Sequence, residues 1–193
     1  MAGAKPVLAS DDLPTIVLVH GAWASPSGWD QVVAGLQKDG FDTAAPALDE
    51  VTLSGDVATV RATLDAIGGR KILVGHSYGG MVITGVAERM RERIAAIVYL
   101  DAFMPQDGQS LSAVRSSNAP PSPERMAPPI PASTFRVNAK DAAWVDSKMT
   151  PHPVKCFTET LRVSGAYSMI AEKVYIRAVD YPSASFDAAL ARC

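Results

Sequence analysis

The sequence predicts an α/β fold with a doubly wound, mainly parallel sheet, and three observations carry that reading. Aliphatic and β-branched runs at 15–19, 71–74 and 95–100 read as strands covered on both faces. The stretches between them carry apolar residues at helical spacing. Strand and helix alternate along the chain, as a parallel sheet with crossover helices requires. At 193 residues and 48% hydrophobic, the chain can bury a sizeable core and is too short for two ordinary domains, so residues 1–193 are expected to form one domain.

The elements follow in order. Thr15-Ile16-Val17-Leu18-Val19 is the first strand and ends in His20-Gly21-Ala22-Trp23. Trp29, Val32, Val33 and Leu36 share one face of a helix over 29–38, which Gly40 stops. A strand is expected near 41–45, then a helix over 54–67 with Val57, Val60, Leu64 and Ile67 on one side, ended by Gly68-Gly69. The strand at 71–74 leads into a helix over 79–91, and 95–100 is the next strand. Residues 102–171 then break the alternation and read as a cap, because half of the 14 prolines fall between Pro105 and Pro131 and such a segment is stiff when extended. Helices are expected within it at 141–149 and 154–162. A last strand at 173–178 precedes a helix beginning at Phe186.

The chemistry concentrates in Gly75-His76-Ser77-Tyr78-Gly79. A serine in the Gly-X-Ser-X-Gly setting, with an apolar strand before it and a helix after it, builds a sharp turn that holds the hydroxyl at the top of the sheet. Ser77 is therefore the candidate nucleophile. Acyl transfer places negative charge on one oxygen of a tetrahedral intermediate, and fixed backbone N–H groups stabilise it. Those donors are expected from Ala22, in the loop that Gly21 lets pass close to substrate, and from Tyr78, at a helix N-terminus. Trp23, Phe103, Trp144 and Phe157 are the candidate pocket residues, since ligand cavities are lined mostly by apolar and aromatic groups.

Taken together, Val17-Leu18-Val19-His20-Gly21-Ala22-Trp23, Gly28-Trp29, the elbow from Gly75 to Gly79 and Ile97-Val98-Tyr99-Leu100-Asp101-Ala102-Phe103-Met104-Pro105 resemble the α/β-hydrolase superfamily. Within it the chain is similar to the branch of hydroxynitrile lyases, plant methyl-ester esterases and bacterial pyrethroid-hydrolase-like esterases, over about residues 15–186. The resemblance implies an α/β-hydrolase fold with a cap inserted after the strand that follows the elbow, a serine nucleophile at Ser77, an oxyanion hole at Ala22 and Tyr78, and no cofactor. The lyases resemble a pattern with threonine after the first-strand histidine. Gly21 stands there, which favours ester hydrolysis over cyanohydrin cleavage.

A base must take the Ser77 proton, and in this fold it is a histidine after the last strand, in the order Ser, acid, His. No histidine follows His152. Relatives would continue into one more strand, a Gly-His-Asp-like loop and a final helix, so the resemblance reads as C-terminally truncated, with an exposed sheet edge at 173–178 through which copies would associate. His20 and His76 read as structural, with His76 pointing away from the nucleophile; His152, in the cap, satisfies the order formally. Asp101 and Asp180 compete for the acid. Tyr181-Pro182 displaces the expected acid by one residue, which favours Asp101.

Other classes are excluded by composition. A net charge of −2 with 18 scattered Lys and Arg residues gives no footprint for nucleic acid or an acidic membrane surface. Cys156 and Cys193 make no disulfide framework and suit a reducing compartment, and no metal site is expected. Residues 1–14 lack a signal-peptide apolar region and no stretch approaches a membrane span, so the expected location is cytoplasmic. The leading reading is a serine hydrolase of carboxylic esters working through a Ser77 acyl-enzyme on a small-molecule ester, its activity impaired for want of a base. The alternative is a non-catalytic protein of the same fold that binds a small apolar ligand, with a cyanohydrin lyase disfavoured.

Overall fold

A computed structural model describes residues 13–49, 51–115 and 125–193. The N-terminal leader reading and the prolines at 120, 121 and 123 of the cap therefore lie outside the described residues. In chain order the elements are β1 (Thr15–Val19), α1 (Asp30–Lys38), β2 (Thr43–Ala44), α2 (Leu53–Ala66), β3 (Lys71–Ser77), α3 (Gly79–Met90) and β4 (Ile94–Ala102). They continue with α4 (Leu111–Val114), β5 (Met126–Ala127), α5 (Ala139–Lys148), β6 (His152–Pro153), α6 (Val154–Thr158), β7 (Glu172–Ile176) and α7 (Ala184–Leu190).

Five strands form one parallel sheet in the order β2-β1-β3-β4-β7. Successive side chains of a strand point to opposite faces, and the apolar runs divide accordingly. Val17, Val19, Leu73, Ile97 and Tyr99 are fully buried on the face covered by α2 and α3. Ile16 and Leu18 turn the other way and pack with Trp29, against Val33, Leu36 and Phe41 beside and within α1. Thr52 starts α2 by accepting the Gly55 N–H at 2.9 Å, which satisfies one of the donors a helix N-terminus leaves open. Lys71, buried at the start of β3, donates from Nζ to the Gly69 carbonyl at 2.8 Å.

The expected strands and helices of the sheet layer are present with shifted ends. β3 runs on to Ser77 and β4 to Ala102, past the expected ends at 74 and 100, because each continues pairing at its C-terminal end. The segment from 102 to 171 is less regular than expected. The helix expected over 154–162 is α6, five residues long, and beyond it Leu161 pairs with Gln109 as an isolated bridge rather than continuing the helix. β5 and β6 form a small antiparallel ribbon that no sequence pattern announced. Glu88 of α3 ties the end of this segment to the core, accepting the backbone N–H and hydroxyl of Ser164, each at 2.5 Å, and the Tyr167 N–H at 3.1 Å. Among the described residues, no helix is long and apolar enough to cross a membrane.

Candidate active site

β3 delivers Ser77 with φ 52°, a left-handed backbone that a residue with a Cβ adopts only at a cost. The surrounding backbone enforces it. A Cβ on Gly79 would lie 2.6 Å from the Val19 carbonyl oxygen, and one on Gly80 would lie 2.2 Å from that of Phe103. The ends of β1 and β4 thus grip the first turn of α3 at backbone distance, and only glycine permits the approach. The Phe103 N–H also donates to the Ser77 carbonyl at 3.1 Å.

The neighbouring strand carries a matching irregularity. His76 pairs with Leu100 and Ser77 with Ala102, so Asp101 is an extra residue in β4, a bulge with φ 42°. The bulge brings Asp101 to the same cavity as Ser77. Its Oδ1 accepts from Arg177 Nη1 at 2.9 Å and from the Ala178 N–H at 3.1 Å. Arg177 is itself fixed: Nε donates to Asp187 at 2.9 Å, Nη2 to the Tyr181 carbonyl at 2.7 Å, and the guanidinium lies 5.7 Å over the Phe186 ring. Asp180, the competing acid, is exposed in the turn at 179–180 and does not line the cavity.

That cavity has a volume of about 580 Å³ at the C-terminal ends of the strands, and Ala22, Trp23, Ser77, Tyr78, Phe103 and Trp144 all line it. Trp23 is locked at φ 61°, donating from Nε1 to the Ala127 carbonyl at 3.1 Å while its own carbonyl accepts the Thr150 N–H at 2.9 Å. Phe103 packs edge to face on Phe186 at 4.8 Å, and Trp144 stands half exposed. Phe157 corrects the expectation: it is buried edge-on to Trp23 at 5.4 Å and stacked on His152 at 5.0 Å, behind the wall rather than in it. The short α6 turns it inward.

The three histidines part company. A Cβ on Gly21 would lie 3.1 Å from both His76 Nδ1 and Ser77 Cβ, and His76 lines the cavity. Its ring stands edge-on to Trp29 at 6.3 Å, on the α1 side of the sheet. His76 is exposed to the cavity, and the protein around the rest of its ring lowers the imidazole pKa by desolvation, against the opposing field of Asp101 and with a further lowering from His20. His20 is buried, its Nδ1 2.9 Å from the Gly21 carbonyl. His152 is fully buried among Trp23, Tyr78 and Phe157 and does not line the cavity, so chain order does not bring it to Ser77.

Tyr78 has a second attachment that the sequence reading missed. Its side chain runs into the core and its hydroxyl donates to Asp56 Oδ2 at 2.5 Å. Burial and then the Asp56 charge push the phenol pKa far above its ordinary value, so it stays protonated as a donor. The available signal was position: Asp56 falls four residues before Val60, on the apolar face of α2.

Comparison with known proteins gives consistent relatives. The alpha/beta hydrolase family profile matches residues 16–189. A carbendazim hydrolyzing esterase of Nocardioides sp. (strain SG-4G) is 34% identical over 90% of this chain and 84% of that protein. An esterase of Oryza sativa subsp. japonica is 36% identical over 49% of this chain, a match that spans only 39% of its own length. Among solved structures, an extracellular alpha/beta-hydrolase from a Paenibacillus species superposes with a TM-score of 0.71 at 27% identity, covering 84% of this chain and 76% of that one. The pyrethroid hydrolase of Sphingobium faniae JZ-2 shares the fold, with a TM-score of 0.71 at 20% identity over 93% of this chain and 84% of its own.

Proposed function

This chain belongs to the alpha/beta hydrolase family, and from that premise we propose that it is a serine hydrolase of small aromatic carboxylic esters, with Ser77 as the acylated residue. The observation that carries the reading is Ser77 itself, held at φ 52° at the end of β3 on the wall of a largely apolar cavity. Attack on an ester carbonyl would place the oxyanion near the backbone N–H groups of Ala22 and Tyr78, with the N-terminal end of α3 adding favourable partial charge. Asp101 supports the reading as the acid in preference to Asp180. It shares the cavity, and its hydrogen bonds with Arg177 and Ala178 fall on Oδ1, which leaves Oδ2 to orient an imidazole.

The substrate class follows from the walls. Trp23, Trp29, Phe103, Phe135, Trp144 and Phe186 line the cavity, and its volume suits a ligand of drug size. The relative whose name is carbendazim hydrolyzing esterase supports ester hydrolysis.

Removal of the Ser77 proton is the slow step of this reading. Of the three histidines, His152 is buried elsewhere, His20 is bonded to its own loop, and His76, on the cavity wall, lies edge-on to Trp29 at 6.3 Å. Slow acylation of the chain by p-nitrophenyl acetate, abolished by Ser77→Ala, is the expected result. Unchanged ester cleavage in Ser77→Ala would overturn the nucleophile. Ligand binding in the cavity with no Ser77-dependent release of p-nitrophenol would favour the non-catalytic binding protein.

A further inference from the structure

A second cluster of chemistry-bearing side chains lies beneath the elbow, outside the cavity. Asp56 of α2, His152 of β6 and Cys156 of α6 are each 0% exposed, and their donor atoms lie within 4.8 Å of one another. Three separate segments converge on one buried point, and they bring three different ligand types. Cys156 Sγ is 3.8 Å from Asp56 Oδ2. A tetrahedral zinc ion with ordinary Zn–S and Zn–O distances sets those two atoms about 3.6 Å apart. The His152 donor lies within 4.8 Å of both.

Charge points the same way. Binding a divalent cation would release the proton that the Cys156 thiol donates to Asp56, and the carboxylate and thiolate would then cancel its charge. Thiolate and imidazole together favour zinc over magnesium or calcium, which prefer all-oxygen shells. The Tyr78 hydroxyl, donating to Asp56 at 2.5 Å, supplies the outer hydrogen bond that metal-bound carboxylates commonly receive.

We propose that Asp56, His152 and Cys156 form a buried zinc site, each supplying one ligand atom, with a water in the fourth position. The ion would join the ribbon and short helix at 152–158 to α2 and, through Tyr78, to the residue that follows the nucleophile. The site is closed to substrate and its role is mechanical. It is independent of the proposed ester chemistry, and its test needs no turnover.

The whole chain, produced with zinc in the medium and desalted, should carry about one zinc per molecule by elemental mass spectrometry. A metal chelator should lower its melting temperature by several degrees, and added Zn²⁺ should restore it. Replacement by Co²⁺ should give a thiolate charge-transfer band that Cys156→Ser loses and Cys193→Ser keeps. Zinc below about a tenth of an equivalent, with a melting temperature indifferent to Zn²⁺ and chelator, would overturn the site. A cobalt band that survives Cys156→Ser would overturn it equally. If Cys156→Ser fails to fold, the wild-type zinc content and melting shift decide the matter.

Discussion

One face of the central sheet lies under α2 and α3, and there Val17, Val19, Leu73, Ile97 and Tyr99 have no exposed surface at all. Among the described residues, the opposite face is covered well only at the β1 end, by α1 and Trp29. Across it exposure climbs from Leu18 at 1% to Val174 at 44% and Ile176 at 49% on β7. The side chains are of the same kinds and the strands are the same strands. What differs is the partner: β-branched residues stabilise the protein only where another element removes them from water. Tyr175 shows it within one strand, since it turns to the covered face and stacks on Tyr99 at 6.3 Å while its neighbours stand in solvent.

The largest effect is expected where the covered face meets the elbow. Gly80→Ala places a Cβ 2.2 Å from the Phe103 carbonyl oxygen, and because both partners are backbone nothing flexible can yield. It should destabilise by upwards of about 4 kcal/mol or prevent folding, as read by urea denaturation. Ile97→Ala, in the middle of the covered face, should cost about 2–5 kcal/mol. Ile176→Ala, its counterpart on the open face, should cost under about 1 kcal/mol in the same assay. Equal losses at the two isoleucines would mean that the open face is covered in solution. Val174→Lys sharpens that point further. It should leave the urea midpoint nearly unchanged and shift any concentration-dependent association in light scattering toward monomer, β7 being an edge strand.

The smallest expected effect is titrational. Desolvation raises the pKa of Glu88, and the hydrogen bonds from Ser164 and Tyr167 more than reverse it, so the net shift is below the ordinary value of 4.5. A depressed carboxyl pKa contributes stability that is present above the unfolded value and is lost as pH falls through the folded one. Melting temperature should therefore drop on the acid side, and Glu88→Gln should flatten that limb while leaving neutral pH less stable than wild type.

The sheet layer was legible because its signals are local. Val17 and Leu18 announce a strand by residue type, Gly40 and Gly68-Gly69 stop helices, and the glycines around Ser77 mark a turn tight enough for backbone contact. Asp101 could be singled out by its place after a strand. That it bulges out of register, and that Arg177 fixes it from 76 residues away, could not, since both depend on how strands align. Phe157 was misplaced for the same reason. In the cap the chain path is set by scattered tertiary bonds, such as Trp23 to Ala127, and neither periodicity nor chain order encodes those. Asp56 was visible only as an acid on an apolar face, a clue that gains meaning once Tyr78 turns inward.

The left-handed backbone at Ser77 sets activity against robustness at a single position. Such a conformation costs on the order of 1–3 kcal/mol for a residue with a Cβ, and glycine adopts it almost freely. Ser77→Gly would then melt at a higher temperature than Ser77→Ala, while losing the hydroxyl. A screen for heat resistance alone would drift toward erasing the nucleophile. The serine persists only under a pressure that rewards what its side chain does.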